Sequence, residues 1–116
     1  MPFTSFRIDR YTVQVYANDV QGSVTRWASR VIRLFSADKH VGTAYFAREG
    51  FQAPEAAFSD NIIYFHAQAE QYGPVMDLLR HESPVYIAWK PKTDAKEPGD
   101  GDAYFYTGQQ PTGEEE

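Results

Sequence analysis

The 116-residue chain is predicted to be an α+β domain, a mainly antiparallel, curled six-stranded sheet with one short helix in the order β-β-β-β-α-β-β. Three observations predict it. Aromatic residues make up 16% of the chain and fall mostly in short alternating runs, the habit of strands rather than helices. One apolar stripe at helical spacing, Tyr72, Val75, Met76 and Leu79, marks the helix. The length suits one core, because domains commonly run to about 100–150 residues. That core is assigned to residues 1–108, and residues 109–116, ending in Glu114, Glu115 and Glu116, are expected to form a frayed acidic tail.

The elements follow in order. Tyr11, Val13 and Val15 alternate with Thr12, Gln14 and Tyr16, which predicts one strand over residues 6–16 with a buried face. Asn18, Asp19 and residues 21–23 then supply turn chemistry. Residues 29–47 read as a hairpin, with runs 31–35 and 41–46 flanking the polar connection 37–40. Its turn lacks an Asn-Gly pair, so the assignment rests on the flanking strands. Residues 48–60, which include Pro54, show no period and are expected to be a surface connection.

Ile62, Ile63, Tyr64 and Phe65 form a continuous run too short for a helix, which predicts a central strand buried on both faces. Gly73-Pro74 opens the helix, since an early proline loses no needed hydrogen bond. Ser83-Pro84 stops it near Glu82, since the residue before a proline is pushed out of the α region. Residues 85–89 and 103–107 are the last two strands. The hydrophilic loop between them, residues 91–101, is too long for a tight hairpin and is expected to move.

Charge and composition exclude several functions. The formal net charge is −5, and removing the three terminal glutamates still leaves the body acidic. Most non-specific nucleic-acid affinity comes from Lys and Arg neutralising phosphates, so this balance makes nucleic acid an unfavoured partner. Without cysteine there is no disulfide, thiolate metal site or thiol nucleophile. No apolar run approaches the ~18 residues that would span a membrane and residues 1–7 hold no apolar leader core, so no membrane role and a cytoplasmic location are expected.

The candidate chemistry is sparse. His66 and His81 could meet beside Asp77, but no His-x-x-x-His spacing places two ligands on one helix face. A histidine in the last helical turn is accounted for by the helix dipole. The loop 94–102 carries four carboxylates, yet it lacks the alternating Asp order of a calcium loop and includes Lys96. No metal and no cofactor are therefore expected. No Gly-x-Ser-x-Gly elbow is present, and most acids lie in loops or the tail. Arg7, Arg10, Arg26, Arg30 and Arg33, interleaved with Phe6, Tyr11 and Trp27, could form a face that stacks single-stranded bases.

The segment 74–87, Pro-Val-Met-Asp-Leu-Leu-Arg-His-Glu-Ser-Pro-Val-Tyr-Ile, resembles a group of bacterial proteins of about this length. They share a Pro-x-Val-x-Asp-x-Leu-Arg helix, a Pro-x-Tyr strand and an acidic C-terminus. The resemblance implies a bacterial source and attaches no activity to the chain. Its matching residues are a helix start, an apolar stripe and a helix stop, so no site residue carries over.

The reading favoured by these features is a non-catalytic domain that binds a partner protein, itself or a small ligand. Tyr104 and Tyr106 face away from Phe105, and Tyr86 faces away from Ile87 and Trp89. One short helix covers only one sheet face, so Tyr86, Tyr104 and Tyr106 are the candidate contacts of a homodimer. A closed, barrel-like sheet would absorb both aromatic sets instead. The competing reading is a small enzyme with a pocket near His66, and a third is the single-stranded nucleic-acid face.

Overall fold

Residues 6–16 do not run as one strand. The computed structural model, which describes residues 4–16, 27–91 and 101–108, divides them into β1 (Thr4–Arg7) and β2 (Arg10–Val15). The break at Ile8 and Asp9 is a corner between two sheets. The Ile8 amide donates to the Val85 carbonyl at 2.9 Å and the Asp9 amide to the Phe35 carbonyl at 2.8 Å, so neither backbone group is orphaned where the chain changes sheets. The bend needs no glycine or proline, which is why the sequence pattern runs through it.

The hairpin expected over residues 29–47 forms as β3 (Ala28–Ser36) and β4 (Lys39–Ala47), joined by Ala37 and Asp38. Both turn residues have positive φ, 50° and 67°, the geometry that matches the right-handed twist of the flanking strands. The Ala37 amide is held by the Asp9 carboxylate at 2.7 Å. A second hairpin lies where a surface connection was expected. Strands β5 (Ala57–Ser59) and β6 (Ile62–Ala67) flank Asp60 and Asn61, again both at positive φ.

The expected single six-stranded sheet is corrected to two sheets holding eight strands among the described residues. One has the order β2-β3-β4-β6-β5, and the other joins β1 to β7 (Val85–Pro91) and β8 (Gly101–Thr107) in the order β1-β7-β8. Neither closes on itself. All pairings are antiparallel except β4 with β6, which run parallel because β5 takes the edge position beyond β6. The strand buried most completely is therefore β4, from Val41 to Ala44, whereas β6 buries Ile63 and Ala67 and leaves its other residues half-buried.

The core lies between the sheets. Ile32, Leu34, Ala44, Phe46 and Ile63 project from the five-stranded sheet toward Ile87 and Trp89. Phe65 meets Phe105 edge-on at 4.9 Å, and Phe58 stacks on Trp89 at 5.9 Å. Gly42 permits the close approach: a Cβ there would stand 3.0 Å from Ile87 Cδ1 and 3.2 Å from the Ile63 carbonyl oxygen. A 3₁₀ turn, Ala69–Gln71, leads into α1 (Tyr72–His81), which starts two residues before the sequence signal because that turn feeds it directly. Val75 and Met76 are buried, and Tyr72 and Leu79 pack partly against the same cluster, so the expected apolar stripe does face the core. Glu82 is extended, and a cis Ser83–Pro84 peptide leads into β7.

Candidate functional site

Strand register sorts the five-stranded sheet into two faces. Val31 pairs with Tyr45 and Tyr45 with His66, while Arg33 pairs with Thr43 and Thr43 with Tyr64, so these side chains share the face turned away from the core. Their neighbours Phe46 and Phe65 point inward against Tyr72 and Phe105. Trp27 joins the outer set from the start of β3. Its ring centroid lies 5.3 Å from His66 and 5.9 Å from Tyr45, Tyr45 lies 5.5 Å from His66, and Tyr64 lies 6.4 Å from both. Tyr45 and Tyr64 are nearly parallel, at 14°. All four rings are half-buried. Val31 and Thr43, on the same face, are buried among them.

Burial shifts the acidity of two members of this cluster, Tyr45 and His66. Burial raises the Tyr45 phenol above its ordinary value, with the positive charge of Arg33 opposing, so Tyr45 is a neutral donor at physiological pH. Burial lowers the pKa of His66, with hydrogen bonding of the ring to the backbone carbonyls of Glu55 and Pro54 opposing. His66 Nδ1 lies 2.7 Å from the Glu55 carbonyl oxygen, which can only accept. The neutral ring therefore carries its proton on Nδ1 and leaves Nε2 as an acceptor.

The crossover from β4 to β5, residues 48–56, is anchored beside this cluster by Gln68. Its Oε1 accepts from the Ala53 amide at 2.8 Å and its Nε2 donates to the Phe51 carbonyl at 3.1 Å, while its own amide donates to Gln71 Oε1 at 3.0 Å. One carboxamide thus fixes the segment that supplies the Glu55 carbonyl to His66.

The charge on this sheet departs from that of the whole chain. No residue in β2, β3, β4, β5 or β6 is acidic, although these strands hold Arg10, Arg30, Arg33 and Lys39. Arg10 lies over the Phe35 ring at 4.4 Å and 3.4 Å from the exposed Asp38 carboxylate. Arg33 is half-buried, and among the described residues no carboxylate pairs with it.

No protein-family model, curated protein or solved structure matches the chain. The functional reading therefore rests on the faces themselves.

The arginines and aromatics singled out in the sequence do not gather as one face. Arg10, Arg33 and Trp27 lie on the outer face just described. Arg30 turns to the other side, over the Tyr72 ring at 4.5 Å, and Phe6 and Tyr11 pack against the core. Arg7 belongs to the other sheet, near Asp9 at 4.0 Å. Arg26 lies outside the described residues, as do the turn residues 18–23, most of the acidic loop 94–102 and the tail.

Tyr86, Tyr104 and Tyr106 do share one face, the outer side of β7 and β8. Tyr86 pairs directly with Tyr106 and stacks on it at 4.9 Å, and Tyr104 lies 6.0 Å from Tyr106. The Tyr106 hydroxyl is 2.7 Å from Ser5 Oγ. His66 and His81 serve different places: His81 and Asp77 line a shallow hollow along α1 with Pro74, Leu78 and Glu82, and His66 is not among its lining residues. No three His, Asp or Glu side chains among the described residues are grouped as a metal ion requires. Nor is any helix among them long and apolar enough to cross a membrane.

Tyr45 and Tyr64 are the site residues that sequence reasoning missed. Their alternation with inward residues was visible at Tyr45/Phe46 and Tyr64/Phe65. What brings them together is the parallel β4–β6 pairing, which no local spacing encodes.

Proposed function

We propose that the chain is a non-catalytic binding domain whose working surface is the outer face of the five-stranded sheet, where a planar, ring-bearing ligand stacks against Tyr45, Tyr64 and Trp27. The observation that supports it is the four-ring cluster on a sheet without a single acidic residue. Aromatic side chains supply large contact area at little conformational cost, and a rigid sheet holds them in fixed relation. Chemistry is disfavoured by the engagement of His66: its Nδ1 is committed to a backbone carbonyl, and among the described residues no carboxylate orients it as a general base. Saturation-transfer spectra of a panel of small probes, indole, adenosine and maltose, test the reading. Ring probes should receive saturation from the wild-type protein and lose it in Tyr45→Ala and Tyr64→Leu. Equal transfer in the variants, or none from any probe, would refute it.

A second surface favours self-association. The stacked Tyr86 and Tyr106 with Tyr104 make an amphipathic patch on the opposite sheet, and a two-fold contact through it leaves the first face open. On this proposal the homodimer presents two outward ring clusters.

A further inference from the structure

We propose that the occupant of the ring cluster is single-stranded nucleic acid, bound through its bases by Tyr45, Tyr64 and Trp27 and through a backbone phosphate by Arg33. The inference rests on the ring-binding reading above and adds the ligand's chemistry.

Three observations select this chemistry. The rings require a partner with flat π faces, and several of them in succession, because Trp27, Tyr45 and Tyr64 are separate rings placed 5.9 and 6.4 Å apart along the cluster. Arg33 places a positive charge on the same face, suited to an anion. It stands in register with Thr43 and Tyr64, close enough to Tyr45 to oppose the rise in that phenol's pKa, and no described carboxylate neutralises it. The strands add no negative charge that would repel the ligand.

A neutral sugar would satisfy the rings and leave Arg33 without a counter-ion. An acidic peptide would satisfy Arg33 and leave the rings without repeated π faces. A short single strand supplies both in one repeating unit, stacked bases joined by phosphates. The neutral His66 Nε2 and the Tyr45 hydroxyl add an acceptor and a donor at the edge of the same surface, of the kind that reads an unpaired base.

The net charge of −5 sets the strength of this binding without excluding it. Acidic residues lie in the turns and loops around the sheet, at Asp9, Asp38, Glu49 and Asp60, so a long polyanion is repelled at a distance while a short segment is accepted on the face. The affinity expected is modest and the site short. Its salt dependence should be shallow, because each neutralised phosphate contributes a slope of only about −0.7 in log K against log salt for single strands.

The test is fluorescence anisotropy of a labelled eight-nucleotide oligouridylate titrated with the full chain at several salt concentrations, with uridine monophosphate as competitor. Wild-type protein should bind. Arg33→Gln should lower the salt slope by about 0.7, and Tyr64→Leu, which preserves bulk and apolar character, should weaken binding about tenfold. Circular dichroism and melting curves confirm that both variants fold, and Tyr104→Phe on the other sheet should bind as wild type. Absence of oligonucleotide binding, or a slope unchanged in Arg33→Gln, overturns the inference. If adenosine still receives saturation through Tyr45 in that case, the ring-binding surface stands and only its ligand was misread; if it does not, both fail. Competition by uridine monophosphate at the same concentration of nucleotide units would make the ligand a free nucleotide and overturn the single-strand assignment.

Discussion

Gly101 opens β8 directly against the indole of Trp89, and replacing it by alanine should be among the most damaging small changes the protein can receive. A Cβ at that position would stand 2.6 Å from Trp89 Cζ2, 2.8 Å from Trp89 Cε2 and 2.7 Å from the Lys90 carbonyl oxygen. Trp89 is fully buried, with Phe58 stacked on it at 5.9 Å, so the ring has no empty side to move toward. The carbonyl belongs to the β7 backbone, which is held by its pairing with β8 on one side and lies next to β1 on the other. Overpacking costs about 1–3 kcal/mol, and with a rigid ring and a backbone atom as the obstacles the upper half applies, about 2–3 kcal/mol. For a domain of this size that corresponds to a fall of about 10 °C in Tm. Urea unfolding of Gly101→Ala and wild type measures it. Trp89→Phe removes the colliding benzo edge, so its combination with Gly101→Ala should cost less than the sum of the two single changes, while the Lys90 carbonyl keeps the rescue incomplete. A midpoint unchanged in Gly101→Ala, or strict additivity in the double variant, would refute this seating of the indole.

Met76→Ala should cost about 2–4 kcal/mol, as buried methionine deletions do, and Leu79→Ala about half of that because Leu79 is only partly buried; equal shifts in denaturant midpoint would contradict the docking of α1. Stability should fall in acid through His66. Its folded value is held below the ordinary 6.5, so as pH drops through that range the unfolded chain takes up a proton that the folded chain refuses, and the stability present above about pH 6.5 is lost below it. His66→Asn should flatten that part of the decline between pH 7.5 and 5.5, and an identical decline in both proteins would exclude His66 as its source. Light scattering should give twice the 13.2 kDa chain mass for wild type and the single mass for Tyr106→Glu, which places a charge in the stacked tyrosine patch; a monomeric wild type would remove the dimer proposal.

The elements that were legible in the sequence are those whose signal is local. The stripe Tyr72, Val75, Met76 and Leu79 marks α1, and the alternation in residues 31–35 and 41–46 marks the β3–β4 hairpin, because each is produced by one period acting within one element. The corner at Ile8 and Asp9 was not legible. It is stabilised by hydrogen bonds to Val85 and Phe35, far along the chain, and the residues themselves carry no breaker chemistry. The β5–β6 hairpin does carry a local signal in Asp60-Asn61, two residues that tolerate positive φ, between Phe58 and Ile62. Its short first strand, Ala57–Ser59, offers too little alternation to be recognised.

The candidate faces divide in the same way. Co-facial placement of Tyr86, Tyr104 and Tyr106 followed from strand parity, and β7–β8 register bears it out. The ring cluster did not, because Trp27 precedes β3 while Tyr45 and His66 come from β4 and β6, which pair in parallel. Net charge pointed away from anionic ligands because it averages over the chain. Only the fold shows that the acidic residues lie off the five strands whose outer face carries Arg33.

The claim that this outer face takes up single-stranded nucleic acid is tested most directly by mapping backbone amide shifts in ¹H–¹⁵N spectra of the full chain as the eight-nucleotide oligouridylate is added. The account predicts progressive shifts concentrated in β3, β4 and β6, from Arg33 through Thr43 and Tyr45 to Tyr64 and His66, with β7 and β8 unmoved. Shifts centred on Tyr86, Tyr104 and Tyr106, or no shifts at saturating oligonucleotide, would contradict it.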